Sequence, residues 1–234
     1  MNSEEVNLTK EYYSLHRILK TDIKKDPNSQ EDEIIFGCGC FWGAEKCFWK
    51  LPGVVTTSVG YAGGEKCNPT YYEVCSGLTG HSEVVRVIWD KREIDISDLL
   101  KMFWECHDPT QKNRQGNDMG TQYRSAIYYK NENNIKTILA SKEQYQTELS
   151  KKNLGLIETE IKMIDSYFFA EQYHQQYLAS AGSRQYCSAS PTKVKLGVFT
   201  GSNYKLEDHI WENFNWEVDK CVLRSDNNPI KNNI

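Results

Sequence analysis

Cys40 sits in the run Gly39-Cys40-Phe41-Trp42-Gly43, between a short apolar stretch, Ile34-Ile35-Phe36, and a segment of helical spacing that reaches about Leu51. A sulfur so placed lies near a helix N-terminus. There, unpaired N–H groups and the positive end of the macrodipole lower a thiol's pKa, and the thiolate is the nucleophilic form. Phe41 and Trp42 are expected to wall an apolar pocket over that sulfur, and the flanking glycines let the chain turn and a ligand come close. The competing reading is a thiol packed in an aromatic core, the commoner fate of a free cysteine. Cys47, on one helical stripe with Cys40, Ala44 and Leu51, fits that second description.

Further polar groups gather at two long connections, 62–82 and 108–122, both dense in Gly, Asn, Pro and Thr. Loops longer than about 12–15 residues are usually functional or disordered. Tyr71, Glu83, Asp118 and Tyr123 lie in or beside them, so the two loops are read as the sides of an active-site mouth. Glu83 opens the strand-like alternation Glu83-Val84-Val85-Arg86-Val87-Ile88-Trp89, and taken alone it is more simply a strand-opening residue.

The motifs carry a resemblance. The pentapeptide around Cys40 is similar to the signature of the A-type peptide methionine sulfoxide reductases. So, in the same order, are Gly60-Tyr61-Ala62-Gly63-Gly64, Asn68-Pro69-Thr70-Tyr71, Gly80-His81-Ser82-Glu83-Val84, His107-Asp108-Pro109-Thr110-Gln111, Gly116-Asn117-Asp118, Gly120-Thr121-Gln122-Tyr123-Arg124-Ser125 and Tyr173-His174-Gln175-Gln176-Tyr177. One pentapeptide is weak, whereas this ordered set is specific. The similarity spans roughly residues 33–187 and fades beyond Gln185, where Ser188-Ala189-Ser190-Pro191 stands in place of the glycine-rich sequence of relatives.

A sulfoxide sulfur becomes a good target for a thiolate only when its oxygen is protonated or strongly hydrogen-bonded, so such a site needs an acid. A carboxyl buried among aromatics keeps its proton to higher pH. Glu83 is the candidate, with the hydroxyls of Tyr71 and Tyr123 to hold charge developing on oxygen. Asp118 is expected to orient a water or a tyrosine hydroxyl, and His174 either joins that network or packs; Phe41 and Trp42 would seat the substrate methyl group. Attack leaves a sulfenic acid that a second thiol must discharge. The resemblance assigns that role to Cys187, next to Tyr186, and implies the S epimer, free or in proteins, and thioredoxin as reductant. An exposed, labile disulfide is expected. Cys221 is either a packed thiol or, should the tail dock at the mouth, a third redox thiol.

Two other classes compete. A thiol hydrolase or acyltransferase would use His81 or His174 as base and need no reductant. A metal module built on Cys38, Cys40 and His81 lacks a second paired-ligand cluster, and no metal or other cofactor is expected.

The 234 residues suffice for one domain with tails, divided as an extension (1–32), a catalytic domain (33–187) and a divergent tail (188–234). A net charge of −4 gives no basic excess for nucleic acid or an anionic membrane surface. No apolar run approaches the ~18 residues of a membrane helix. Residues 1–30 resemble neither a signal nor a transit peptide. A cytoplasmic monomer, with nuclear access open, is the expectation, its eight cysteines reduced apart from the redox pair.

Periodicity predicts strand 34–36, helix 40–51, strands 54–60 and 83–89, helix 97–106 capped by Ser97, strand 123–129, helix 132–151, strand 157–163 and helix 170–180. Strands outnumber a one-per-helix alternation, which favours an α+β class with a mixed, largely antiparallel sheet covered by helices, a two-layer sandwich. The resemblance implies the same α/β plait. In the extension, Tyr12, Tyr13, Leu15, Ile18 and Leu19 are expected to form a helical turn or two. In the tail, Leu206, Ile210, Phe214 and Val218 predict a docked helix over 206–223.

Overall fold

The computed structural model describes residues 14–218 and 220–232, so Tyr12 and Tyr13 lie outside the described residues. Its elements are β1 (Glu31–Cys38), α1 (Phe41–Trp49), β2 (Val54–Ala62), α2 (Tyr71–Cys75), β3 (Ser82–Asp90), α3 (Ile96–Cys106), β4 (Arg114–Gln115), β5 (Asp118–Met119), β6 (Ser125–Tyr129), α4 (Ile135–Lys151), β7 (Glu160–Met163), β8 (Tyr167–Phe169), α5 (Asp208–Trp211) and α6 (Cys221–Arg224). Six strands form one sheet in the order β7-β6-β1-β3-β2-β8, and β4 pairs with β5 separately. Every pairing is antiparallel except β6 with β7. The mixed sheet with helices is the α+β arrangement expected from the pattern.

The core strands bury both faces, so Ile34-Ile35-Phe36 and Val84-Val85 run apolar without a break, and Glu33 and Arg86 are buried as an ion pair. On one side Phe36 stacks between Phe48 of α1 and Phe103 of α3, with ring centroids 4.8 and 5.0 Å away. Trp104 stacks on Tyr145 of α4 at 5.5 Å, and its indole N–H donates to Ser141 Oγ. Burying such aromatics supplies much of the driving force for docking the helices. The smaller second cluster, Ile35, Ala62, Val84, Ala126, Tyr128 and Ile164, lies apart from this core.

Strand register decides what meets what. Phe36 of β1 pairs with Val85 of β3, and Cys38 with Ser125 of β6. The end of β1 therefore lies beside the starts of β3 and β6, while Ala62 at the end of β2 pairs with Ser82. One end of these interior strands thus collects Cys40, Glu83, Tyr123 and both long loops.

Three local expectations change. Residues 170–180 are not a helix: β8 is followed by single turns at 172–174 and 177–179, with Gln176 left-handed between them (φ 46°). The reason is tertiary hydrogen bonding. The Gln175 side chain bonds the N–H and C=O of Val59, and Gln176 gives both its backbone N–H and its side-chain amide to Glu45. The tail helix over 206–223 is likewise broken into α5 and α6, because Asn215 caps a turn at Glu217 N and Lys220 is left-handed (φ 53°). Leu206, Ile210, Phe214 and Val222 are still buried. Helix α3 is capped by Asp95 rather than Ser97, with Asp98 completing the reciprocal box.

The segment 14–25 is also non-helical. His16 Nδ1 accepts from the N–H groups of Ile18 and Leu19, so Nε2 carries the proton and donates to Thr57 Oγ1, which donates to Glu45. Burial first, then Lys20, pushes His16 down to about 3, consistent with a neutral ring. This buried chain of polar groups ties the extension, β2, α1 and residues 175–176 together.

Candidate active site

Gly39 adopts a left-handed conformation (φ 85°), which bends the chain from β1 into α1. Cys40 then stands at the N-cap position of α1, 7% exposed. The N–H of Phe41, one of the helix's unpaired donors, gives a hydrogen bond to Glu83 Oε2 at 3.1 Å. A cavity of about 350 Å³ opens over this pair, lined by Cys40, Phe41, Trp42, Tyr71, Glu83, Asp118, Tyr123, Tyr177, Arg184 and Tyr186.

Burial pushes the Glu83 carboxyl up to about 8, more than the Phe41 N–H lowers it, and Asp118 adds to the rise. The group is therefore largely protonated at neutral pH. Cys40 departs from the expectation of a lowered pKa: burial, then the neighbouring Glu83, raises it well above its ordinary value, and the N–H of Trp42 only partly offsets this. The pair is therefore a thiol facing a carboxylic acid. Burial also raises Tyr71 and Tyr123, and next to Glu83 they remain neutral O–H donors.

Each side chain has a structural reason for its place. Tyr71 opens α2, a short helix in which Glu73 accepts from Thr70 N and Oγ1, and its own N–H donates to Glu171 Oε1. The other oxygen of Glu171 accepts from Tyr61. His81 holds the same loop, its Nδ1 accepting from Gly64 N and its Nε2 donating to Lys66 O. With both ring nitrogens engaged and no place in the cavity lining, it is not a base for Cys40. Asp118, on β5, accepts from the Tyr186 hydroxyl at 2.5 Å.

His174 does not line the cavity. It stands behind Trp42, accepting the indole N–H at Nδ1 over 3.1 Å, and burial pushes it down to about 4. Its role here is to fix the ring of Trp42, which also stacks on Tyr177 at 4.0 Å. Tyr177, Arg184 and Tyr186 are lining groups to which the sequence reading gave no role; Tyr177 closes a quoted motif and Tyr186 adjoins Cys187, while no motif marked Arg184.

Cys187 is not in the cavity either. It is 5% exposed and lies on α1, where a side-chain carbon at Gly43 would collide with its Sγ. It shares a cavity of only about 20 Å³ with Cys47, Cys106 and Cys221, roofed by Pro191, Trp216 and Val218. Burial pushes both Cys187 and the half-buried Cys221 up to about 12. The exposed, labile disulfide expected from the sequence concerns the oxidised chain; with both thiols free, Pro191, Trp216 and Val218 cover Cys187. All eight cysteines are free. Cys38, Cys106 and His107 converge, but His107 Nδ1 donates to Phe103 O and Nε2 accepts from Ser125, so no imidazole lone pair is left for a metal.

The comparisons with known proteins agree with the geometry. A family model described as peptide methionine sulfoxide reductase matches residues 32–204. The peptide methionine sulfoxide reductase MsrA of Vibrio vulnificus is 53% identical over 77% of this chain and 86% of its own length. That of Azotobacter vinelandii is 56% identical over 70% and 76%. Among solved structures, methionine sulfoxide reductase A of Corynebacterium diphtheriae superposes with a TM-score of 0.63 at 44% identity, covering 70% of this chain and 79% of that one. Reduced Mxr1 of Saccharomyces cerevisiae gives 0.64 at 36% identity, covering 71% and 93%.

Proposed function

The chain belongs to the peptide methionine sulfoxide reductase family, and from that premise we propose a mechanism in which Cys40 and Glu83 reduce the S epimer of methionine sulfoxide, free and in proteins. The observation that carries this reading is the buried carboxyl of Glu83 lining the same pocket as the Cys40 thiol, bonded to the N–H next to it.

The sulfoxide enters with its methyl group against Phe41 and Trp42 and its oxygen toward Glu83, Tyr71 and Tyr123. Glu83 gives its proton to the oxygen, Cys40 Sγ bonds to the sulfoxide sulfur, and the thiol proton passes to the Glu83 carboxylate. The carboxyl ends as it began. The hydroxyl then moves to Cys40 as the S–S bond breaks, releasing methionine and leaving Cys40 as a sulfenic acid. Sulfur of the substrate is reduced by two electrons and sulfur of Cys40 is oxidised by two. Asp118 fixes one side of the pocket by holding Tyr186, and His174 fixes the methyl-binding side by holding Trp42.

Cys187 next attacks the sulfenic sulfur, water leaves, and a disulfide joins the two cysteines. Thioredoxin, as a dithiol, would reduce it by exchange. Cys187 packs on Gly43, one helical turn from Cys40, and its neighbour Ser188 accepts from the N–H of Cys40, so the resolving thiol starts close to its target. Cys221 is assigned a packing role, since it lies in the same small apolar cavity. We place the protein in the cytoplasm as a monomer, where eight unpaired thiols stay reduced. Among the described residues no helix is long and apolar enough to cross a membrane. Recovery from an oxidising compartment on fractionation would refute that placement.

The test is direct: each sulfoxide epimer is incubated with the protein, with and without thioredoxin, and methionine is measured. The S epimer should give about one methionine per chain alone and many with thioredoxin. Reduction of the R epimer, or turnover without any reductant, would overturn the reading.

A further inference from the structure

Four of the six most exposed large hydrophobic side chains among the described residues adjoin the candidate active site: Leu78 (91%), Tyr72 (81%), Met119 (72%) and Tyr173 (56%). Exposed apolar groups scattered singly need no explanation, whereas a cluster at the rim of a pocket does.

The aromatic lining of the pocket continues outward without a break. Trp42 lies 5.8 Å from His174, His174 lies 4.5 Å from Tyr71 and 4.2 Å from Tyr173, and Tyr71 lies 6.0 Å from Tyr72, all between ring centroids. The strip begins on pocket-lining Trp42 and Tyr71 and ends on two rings open to solvent. Leu78 follows Gly77, which faces Thr121 in the turn that carries Tyr123, and Met119 directly follows Asp118. Apolar side chains thus adjoin the mouth both on α2 and its following loop and on β5.

We propose that this rim is a docking surface for the polypeptide on either side of the oxidised residue, and that it favours an aromatic or large aliphatic residue beside the methionine sulfoxide. The inference rests on the function proposed above. A side chain held in the pocket forces its own backbone across the rim, so the surface is continuous with the substrate site. An extended chain can lay neighbouring apolar groups on Tyr72 and Tyr173, and free methionine sulfoxide, which has no neighbours, cannot. Burying apolar area at roughly 25 cal/mol per Å² makes one partly covered aromatic ring worth about tenfold in binding.

The experiment compares free methionine S-sulfoxide with two short acetylated peptides, one with phenylalanine and one with serine on both sides of the sulfoxide. Wild-type protein should show kcat/KM about tenfold higher for the phenylalanine peptide, with the difference in KM. In Tyr72→Ser with Tyr173→Ser that ratio should fall to about one to three, while free methionine sulfoxide is reduced as before. Tyr72→Ser alone, at a position with little packing to lose, should lower the ratio part way and guards against misfolding of the double variant. Equal wild-type values for the two peptides, or a preference that survives the double variant, would overturn the proposal. So would an effect confined to the KM for thioredoxin, which would give the patch to the reductant. Loss of activity on free sulfoxide by the wild type itself would instead refute the underlying function.

Discussion

The two ends of the reaction occupy regions of contrary design along α1. At its N-terminus is a cavity of about 350 Å³ with a protonated carboxyl, tyrosine hydroxyls and one thiol. Farther along is a pocket of about 20 Å³ holding Cys47, Cys106, Cys187 and Cys221 among apolar groups, under the chain's own tail. The first has room for a substrate and donors already in position, so little has to move. The second holds Cys187 buried, and burial pushes its pKa up to about 12, which keeps it a protonated thiol of low nucleophilicity in this state.

The largest effect should come from removing the one thiol of the roomy region. Cys40→Ser is expected to abolish methionine formation even with excess dithiothreitol, measured by amino-acid analysis; retained activity would move the nucleophile to Cys38, two residues away. Glu83→Gln keeps the shape and a hydrogen-bond donor but removes the transferable proton. It should slow single-turnover reduction by about 10²–10⁴-fold, the usual range for general acid catalysis. A wild-type rate would make Glu83 structural.

The buried region should respond differently. Cys187→Ser is expected to leave one methionine per chain and to cut thioredoxin-dependent turnover at least tenfold, with a sulfenic acid trapped on Cys40. Peptide mapping of oxidised wild-type protein should find the Cys40–Cys187 disulfide. A Cys187–Cys221 disulfide formed only after turnover would draw the tail into the chemistry and blur the division. The smallest effect concerns the packing between the regions. Gly43→Ala gains helix propensity but drives a methyl group into the Cys187 sulfur, and overpacking of this kind costs about 1–3 kcal/mol. The expected outcome is a modest fall in Tm with faster alkylation of Cys187; an unchanged alkylation rate would show that Gly43 does not hold the thiol in place.

How much was legible in the sequence divides along the same line. Cys40, Glu83, Tyr71, Asp118 and Tyr123 lie at element starts or in two conspicuous loops, which draws attention to them, but for Glu83 only the resemblance turned a strand-opening residue into an acid. Their convergence follows from antiparallel register, which puts the end of β1 beside the starts of β3 and β6. What was not legible depends on partners far away in the chain. Residues 170–180 have helical spacing, yet Gln175 and Gln176 bond to Val59 and Glu45 and give up the helix. Nor does spacing show that Pro191, Trp216 and Val218 roof Cys187. The expected thiolate at Cys40 failed for a similar reason: burial and Glu83 outweigh the helix terminus.

The pH dependence of single-turnover reduction by wild-type protein, compared with Glu83→Gln, bears most directly on the resting thiol and carboxylic acid. Glu83 binds its proton more tightly folded, at about 8, than unfolded, near 4.5, so its stabilising contribution is complete below the unfolded value and is lost as pH rises through the folded one. The first-step rate should follow the same proton. It is expected to be flat from about pH 6 to 7, to fall as pH rises through about 8, and to lose that fall in Glu83→Gln. A wild-type rate that climbs through pH 8 as a thiol ionises, with the same climb in Glu83→Gln, would contradict the account.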